Sequence, residues 1–203
     1  MTIWGNNQVR RKIKHMQKRR ILIGLCGQAR SGKDTVAYHL VCRYRLIRRA
    51  FADPIKEIVN DMFDWDERHS DGDLKEEVDG AWGFSPRQAY QRFGTEFARE
   101  LNPNVWILMM QNYLKNTRGN YVISDVRFEN EANWVRRNGL LLHVFREGCA
   151  KVNDHVSETP VPVTDSDLVV ANNGTIPELY QAVDAVLKPH IQIEEVKPWQ
   201  KQR

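Results

Sequence analysis

Short apolar runs alternate with amphipathic stretches along this chain. Residues 21 to 26 (ILIGLC) form an unbroken apolar run that ends at a glycine, the pattern of a strand buried on both faces. Val36, Ala37, Leu40, Val41 and Tyr44 then recur at helical spacing, which predicts an amphipathic helix over residues 32 to 45. A second short strand is expected near residues 48 to 51, and Pro54 sits where the first turn of another helix has no need of its N–H. Residues 64 to 83 turn acidic and glycine-bearing and read as an exposed loop or lid-like excursion. Ser85 and Pro86 supply the cap and first position of a helix over 85 to 101 that Gly94 interrupts. A further helix at about 103 to 115 leads to a buried strand, YVISD, at 121 to 125. A helix over 130 to 139 stopped by Gly139, a strand over 140 to 146, a strand in DLVVANNG and a last helix over 177 to 190 complete the pattern.

Strands that alternate with helices in this way imply an α/β fold: a three-layer parallel sheet covered on both faces, with ligands at the carboxyl ends of the strands. The 203 residues suffice for one domain, 21 to 190, with a helical insertion at about 54 to 115. Residues 1 to 20 read as a basic N-terminal extension and 191 to 203 as a tail. No apolar run approaches the roughly 20 residues of a membrane span. Cys26, Cys42 and Cys149 are odd in number and far apart, which indicates neither a disulfide framework nor a zinc site and fits a reducing cytosol. Charge is concentrated: the net charge is +4, yet residues 10 to 20 alone carry seven Lys or Arg and no acid. Such a block reads as a solvated extension, with a nucleic-acid or anionic-surface contact as the alternative.

The first candidate chemistry lies between the first strand and the first helix. GQARSGKDT, residues 27 to 35, has the G-x-x-x-x-G-K spacing of a Walker A loop in the strand–loop–helix setting that motif requires. Gly27 and Gly32 permit a tight backbone whose N–H groups converge on phosphate oxygens, the helix N-terminus adds partial positive charge, and Lys33 reaches the β- and γ-phosphates. Where the motif expects Ser or Thr after the lysine, this chain has Asp34, with Thr35 next. A carboxylate is a hard-oxygen ligand for Mg²⁺, so Asp34 changes the metal shell without abolishing the site, and Thr35 is expected on an α-phosphate oxygen.

Asp125 closes the YVISD strand in the Walker B position, where it could hold magnesium or orient a substrate group. Arg127, two residues on, is the first choice for the charge that develops on a transferred phosphoryl group. Glu131 follows at i+4, and the alternative is a surface ion pair between the two. Arg87, Gln88, Gln91 and Thr95 fall largely on one face of the helix after Ser85, where they could line a nucleotide monophosphate pocket; a solvated surface is the alternative. Trp106 and Trp134 read as core or pocket wall. The six histidines show no metal-ligand spacing.

With these pieces in order, RSGKDT, FADPIK, RQAYQRFGTE followed by Trp106, DVRFENE, HVFREG, HVSE and DLVVANNG, the chain resembles the bacteriophage deoxynucleoside monophosphate kinases over residues 21 to about 187. The resemblance implies a P-loop fold of the nucleoside monophosphate kinase kind and ATP- and Mg²⁺-dependent transfer of the γ-phosphate to a deoxynucleoside monophosphate. It implies that Arg30, Ser31, Gly32, Lys33, Asp34, Thr35, Arg146, Asn172, Asn173 and Gly174 serve ATP. Asp53, Lys56, Arg87, Gln88, Gln91, Gly94, Thr95, Trp106, Asp125, Arg127 and Glu131 then fall on the acceptor side. Lys33, Arg127, Asp125 and Glu131 are expected at the chemistry, and Asp34 and Asp125 at the metal. The stretch His155, Ser157 and Glu158 matches the family without a role derivable from the residues. The resemblance further implies small-molecule partners, a bacterial host cytoplasm and no membrane, and it leaves room for a homodimer. Two other readings remain open at this level: a kinase of another phosphorylated acceptor, such as phosphomevalonate or dephospho-coenzyme A, and a nucleic-acid-binding P-loop ATPase that uses residues 10 to 20.

Overall fold

A computed structural model describes residues 20–149 and 155–191; the basic block before residue 20 and the tail after residue 191 lie outside the described residues. Five strands, β1 (Leu22–Cys26), β2 (Ile47–Arg49), β3 (Tyr121–Val126), β4 (Leu140–Phe145) and β5 (Leu168–Ala171), form one sheet in the order β2-β3-β1-β4-β5. Every pairing is parallel, with Leu22 opposite Tyr121 and Ile23 opposite Leu140. β1 therefore lies at the centre: the chain leaves it for β2 at one edge and returns through β3, and the connection from β3 then crosses to β4 on the other side of β1. That is the switch point at which an open α/β sheet opens a crevice.

The period of two along each strand divides the core into two layers. Ile23 and Leu25 of β1, Val122 of β3 and Leu142 and Val144 of β4 face helices α1 (Lys33–Tyr44) and α8 (Ile176–Leu187) through Val36, Leu40, Leu179, Val183 and Leu187. Leu22, Cys26, Tyr121, Ile123 and Leu141 face the other way, against α2 (Asp53–Phe63), α6 (Val105–Asn116) and α7 (Glu129–Asn138). These are the three layers expected from the alternating pattern.

Three local differences matter for the site. β2 ends at Arg49, two residues before the expected limit, because the Asp53 carboxylate accepts the Ala50 N–H (2.7 Å) and turns the chain into α2. The acidic excursion carries structure of its own: a short helix α3 (Glu67–Ser70) and a 3-10 turn (Asp73–Glu76). It is pinned by a knot of rings, with Phe63 4.8 Å from Trp65 and 5.2 Å from Phe84, and by the Trp65 indole N–H donating to Asp79 (2.9 Å). The helix with Gly94 does not break. α4 (Pro86–Gln91) runs into a π-helical turn, Arg92–Phe97, and on into α5 (Ala98–Leu101). Among the described residues no helix is long and apolar enough to cross a membrane.

Candidate active site

The loop after β1 is shaped by two glycines that accept no substitute cheaply. Gly27 has φ 148°, and a Cβ there would lie 2.3 Å from the backbone oxygen of Val144. Gly32, the N-cap of α1, has φ 101°, and its Cβ would meet the Asn172 amide at 2.3 Å. No side chain caps this end of α1, so its first turn presents backbone N–H groups outward, the arrangement that binds phosphate. The Ser31 hydroxyl is buried beside them with no hydrogen-bond partner among the described residues. Lys33 folds back along the loop and donates to the carbonyls of Gly27 (2.8 Å) and Gln28 (2.6 Å).

On the α8 side of this loop lies a cavity of about 460 Å³ whose lining includes Arg30, Gly32, Lys33, Asp34, Thr35, Arg146, Asn172 and Gly174. Nearly the whole set expected on the ATP side is brought together here. Ser31 and Asn173 are not in the lining; the Asn173 amide oxygen accepts the Glu147 N–H (2.9 Å), joining the turns that follow β4 and β5.

On the other side, a cleft of about 330 Å³ runs from the same Arg30, Lys33 and Asp34 to the helical insertion. Lys56, Arg87, Gln91, Gly94, Thr95, Trp106, Asp125, Arg127 and Glu131 all line it, as do Ser124 and Ser157. The π turn explains how one helix supplies so much of this wall. In a plain α-helix each four-residue step overshoots a turn by about 40°, so side chains four apart drift off a face; the wider π turn takes up an extra residue and reverses the drift. Arg87, Gln91, Thr95 and Arg99 consequently share the cleft. Trp106 closes the end of the cleft, its indole N–H donating to the Gly94 carbonyl (2.8 Å).

Two residues expected on the acceptor side do other work. Gln88 completes the capping box with Ser85, accepting the Ser85 N–H at 2.9 Å, and its side chain lies outside the cleft lining. Asp53 is spent on Ala50 and on Arg48 (3.2 Å) at the start of α2. Arg99 and Lys75 also line the cleft, beyond the residues expected there. Arg99 extends the four-residue recurrence of 87, 91 and 95, which stays on one side only through the π turn. Lys75 comes from the acidic excursion, where only the folded arrangement brings it in. Its ammonium and that of Lys56 share one Asp71 oxygen, at 3.7 and 2.5 Å, while Arg87 meets Glu76 at 2.5 Å. Burial, and then the positive charges of Lys56, Arg87 and Arg127, hold the Lys75 ammonium below its ordinary range. That clustering of cations makes the cleft a place for an anion.

The carboxylates at the end of β3 are tied to the backbone. Asp125 accepts the N–H of Phe51 (2.7 Å) and of Ala52 (2.9 Å), one on each oxygen, and so anchors the turn after β2. Burial pushes its carboxyl above the usual range, against the pull of the Ala52 amide and Arg127. Glu131 is 1% exposed, which removes the surface ion pair as a description of it. One of its oxygens accepts the N–H of Arg127 (2.9 Å) and Phe128 (3.1 Å), and the other pairs with Arg99. Burial and the charge of Asp125 raise Glu131 to about 7, opposed by Arg99 and the two amides. Among the described residues no group of three or more His, Cys, Asp or Glu gathers as a metal cage. Asp34 and the remaining lone pairs of Asp125 fit Mg²⁺, which binds through one or two carboxylates together with phosphate oxygens. The 3-10 turn Val156–Glu158 places the Ser157 hydroxyl in the cleft, hydrogen-bonded to His155 at 2.8 Å.

A phosphate-cradling loop at the centre of a parallel sheet, flanked by a cationic cleft, defines an α/β phosphotransferase of the P-loop class. Comparisons narrow the class. The family model for deoxynucleotide monophosphate kinase matches residues 73–183, a stretch that begins after the phosphate loop and holds α4 to α7 and strands β3, β4 and β5. A putative deoxynucleotide monophosphate kinase of Acanthamoeba polyphaga mimivirus is 34% identical over 181 residues, 80% of this chain and 94% of that protein. The deoxynucleotide monophosphate kinase of Enterobacteria phage T4 is 28% identical over 122 residues, 57% of this chain and 50% of the phage protein. Among solved structures, TT1252 from Thermus thermophilus matches with a TM-score of 0.51 at 18% identity, covering 86% of this chain and all of that one, a likeness of fold. The chain belongs to the deoxynucleotide monophosphate kinase family.

Proposed function

We propose that this protein transfers the γ-phosphate of ATP to a deoxynucleoside 5′-monophosphate, giving ADP and the deoxynucleoside diphosphate. One observation carries the reading: the two cavities meet at Arg30, Lys33 and Asp34, which line both. A donor held on the α8 side and an acceptor held on the insertion side would thus have their phosphates face each other at Lys33. In-line transfer needs that proximity more than it needs covalent help from the protein.

An oxygen of the acceptor phosphate attacks the γ-phosphorus while the bond to the β,γ-bridging oxygen breaks. A phosphate monoester is largely dianionic at neutral pH, so the attacking oxygen needs no general base. This division of labour suits carboxylates that hold backbone: Asp125 and Glu131 fix the turns that carry Phe51, Ala52, Arg127 and Phe128. Lys33 and Arg127 are assigned to the charge that develops on the transferred group. Arg30, Ser31, Thr35, Arg146, Asn172 and Gly174 are assigned to the donor; Lys56, Arg87, Gln91, Gly94, Thr95 and Trp106 to the acceptor. Mg²⁺, held by Asp34 with support from Asp125, would neutralise phosphate charge. Residues 21 to 190 are read as the kinase unit, with 54 to 115 as its acceptor-binding insertion, working in the cytoplasm of a bacterial host.

The test is ADP release by the purified chain with ATP and Mg²⁺ against dAMP, dCMP, dGMP and dTMP, beside phosphomevalonate and dephospho-coenzyme A. Turnover with one or more of the deoxynucleotides is expected. Turnover confined to either of the other acceptors would refute the assignment.

A further inference from the structure

Arg99 lines the cleft, and its guanidinium is engaged by groups of the protein itself. It stands on α5, just past the π turn, with its side chain 11% exposed. One guanidinium nitrogen donates to Glu131, another to the Pro103 carbonyl (2.9 Å), and the guanidinium carbon lies 3.8 Å from the centre of the Phe128 ring. Three different contacts hold one side chain in a single orientation, with Glu131 as the charged partner.

We propose that Arg99 is a positioning residue for phosphoryl transfer: it fixes the Glu131 carboxylate on the Arg127 and Phe128 amides and, through that turn, aims Arg127 into the cleft. The proposal rests on the transfer reading above and concerns a residue which that reading leaves unused. A carboxylate this buried cannot keep its charge without compensation. Asp125 on β3 works against its ionisation, while Arg99 on α5 and the two amides at the β3–α7 turn work for it. A protonated Glu131 gives up acceptor capacity, and the turn that carries Arg127 loses its anchor. The ionised form is therefore the working form. Arg99 extends the range of pH over which it persists, because removing a nearby cation raises a carboxyl's pKa.

The experiment uses the full chain, with the Glu131 carboxyl followed by carbon-13 NMR and kcat/KM measured from pH 5.5 to 9.5. Arg99→Gln is expected to move the Glu131 midpoint and the acid limb of kcat/KM upward by about one unit. That lowers kcat/KM about tenfold near pH 6 and leaves it little changed above pH 9. Arg99→Lys is expected to move both in the same direction by less. In a Glu131→Gln background, Arg99→Gln is expected to cost nothing further, since residues acting through one another are not additive. An unmoved midpoint, with kcat/KM lowered equally at every pH, would make Arg99 only a wall of the cleft and overturn the proposal. Should Arg99→Gln fail to fold, Arg99→Lys is judged by the same midpoint and limb. If the wild-type chain phosphorylates no deoxynucleotide, the functional reading falls, and the Glu131 midpoint alone then decides whether Arg99 governs that carboxylate.

Discussion

The side-chain amide of Asn172 donates a hydrogen bond to the backbone carbonyl of Ser31 at 2.8 Å, across 141 residues of sequence. The turn after β5 thereby braces the phosphate loop after β1, and the Asn172 N–H, donating to Phe145 at 2.7 Å, fixes the brace to β4. Asn172→Ala removes one link, worth about 1 kcal/mol. A small fall in Tm and a several-fold rise in the KM for ATP are expected, with the KM for the acceptor unchanged. Steady-state kinetics with each substrate varied in turn distinguishes the two.

Lys33 lies where the two cavities join, and Arg127 lines the cleft on the insertion side of that junction. Lys33→Ala and Arg127→Ala are each expected to lower kcat about 10²- to 10³-fold, the usual consequence of losing one preorganised charge at a transition state. Circular dichroism and Tm should stay close to wild type. A kcat within a factor of three of wild type for either variant would remove that residue from the proposed chemistry.

Lys75 enters the cleft from the excursion between α3 and α4, amid Lys56, Arg87 and Arg127. Lys75→Met is expected to raise the KM for the acceptor about tenfold, the scale of one lost charged hydrogen bond, with kcat and the KM for ATP nearly unchanged. Isothermal titration with the deoxynucleotide alone provides an independent check.

The comparison between chain and structure turns on how far apart the partners of each feature lie. The phosphate loop is legible because its chemistry is local: nine consecutive residues supply the turn, the cation and the helix start. The three layers are legible because burial on a parallel sheet writes long apolar runs into β1, β3 and β4. Ser85 and Gln88 spell a capping box, a local signal that outranks the helix face Gln88 shares with its neighbours. In plain α-helical phase Arg99 falls off the face of 87, 91 and 95, since the π turn alone keeps every fourth residue on one side. Lys75, Ser124 and the anchoring of Asp125 on Phe51 and Ala52 depend on contacts between distant segments, which no spacing encodes.

Backbone strain makes the phosphate loop intolerant at Gly27. A Cβ there would strike the Val144 carbonyl, which belongs to a central strand and cannot yield. Gly27→Ala combines a disfavoured φ with that clash, and a destabilisation of about 2 to 4 kcal/mol is expected. Urea unfolding followed by tryptophan fluorescence measures it; a loss below about 0.5 kcal/mol would mean that the loop does not adopt this path.

Stability at acid pH is expected to depend on Asp167. Burial opposes its ionisation, yet hydrogen bonds from Arg136 and from the Thr164 N–H outweigh burial and hold the carboxyl down to about 2. The folded state therefore gains from this group above the ordinary carboxylate pKa near 4, and the gain disappears as pH falls from about 4 through 2. A contribution of about 2 kcal/mol follows from the size of the shift. Asp167→Asn should lower the free energy of unfolding at pH 7 and flatten its decline between pH 4 and 2. An unchanged slope in that interval would assign acid sensitivity elsewhere.

The central claim is transfer between two bound phosphates, and following the phosphate itself tests it most directly. The purified chain, given ATP labelled in the γ-phosphate, Mg²⁺ and each deoxynucleoside monophosphate in turn, is expected to move the label into a deoxynucleoside diphosphate in a one-to-one ratio with ADP. Label released only as inorganic phosphate, with no diphosphate formed from any of the four acceptors, would contradict it.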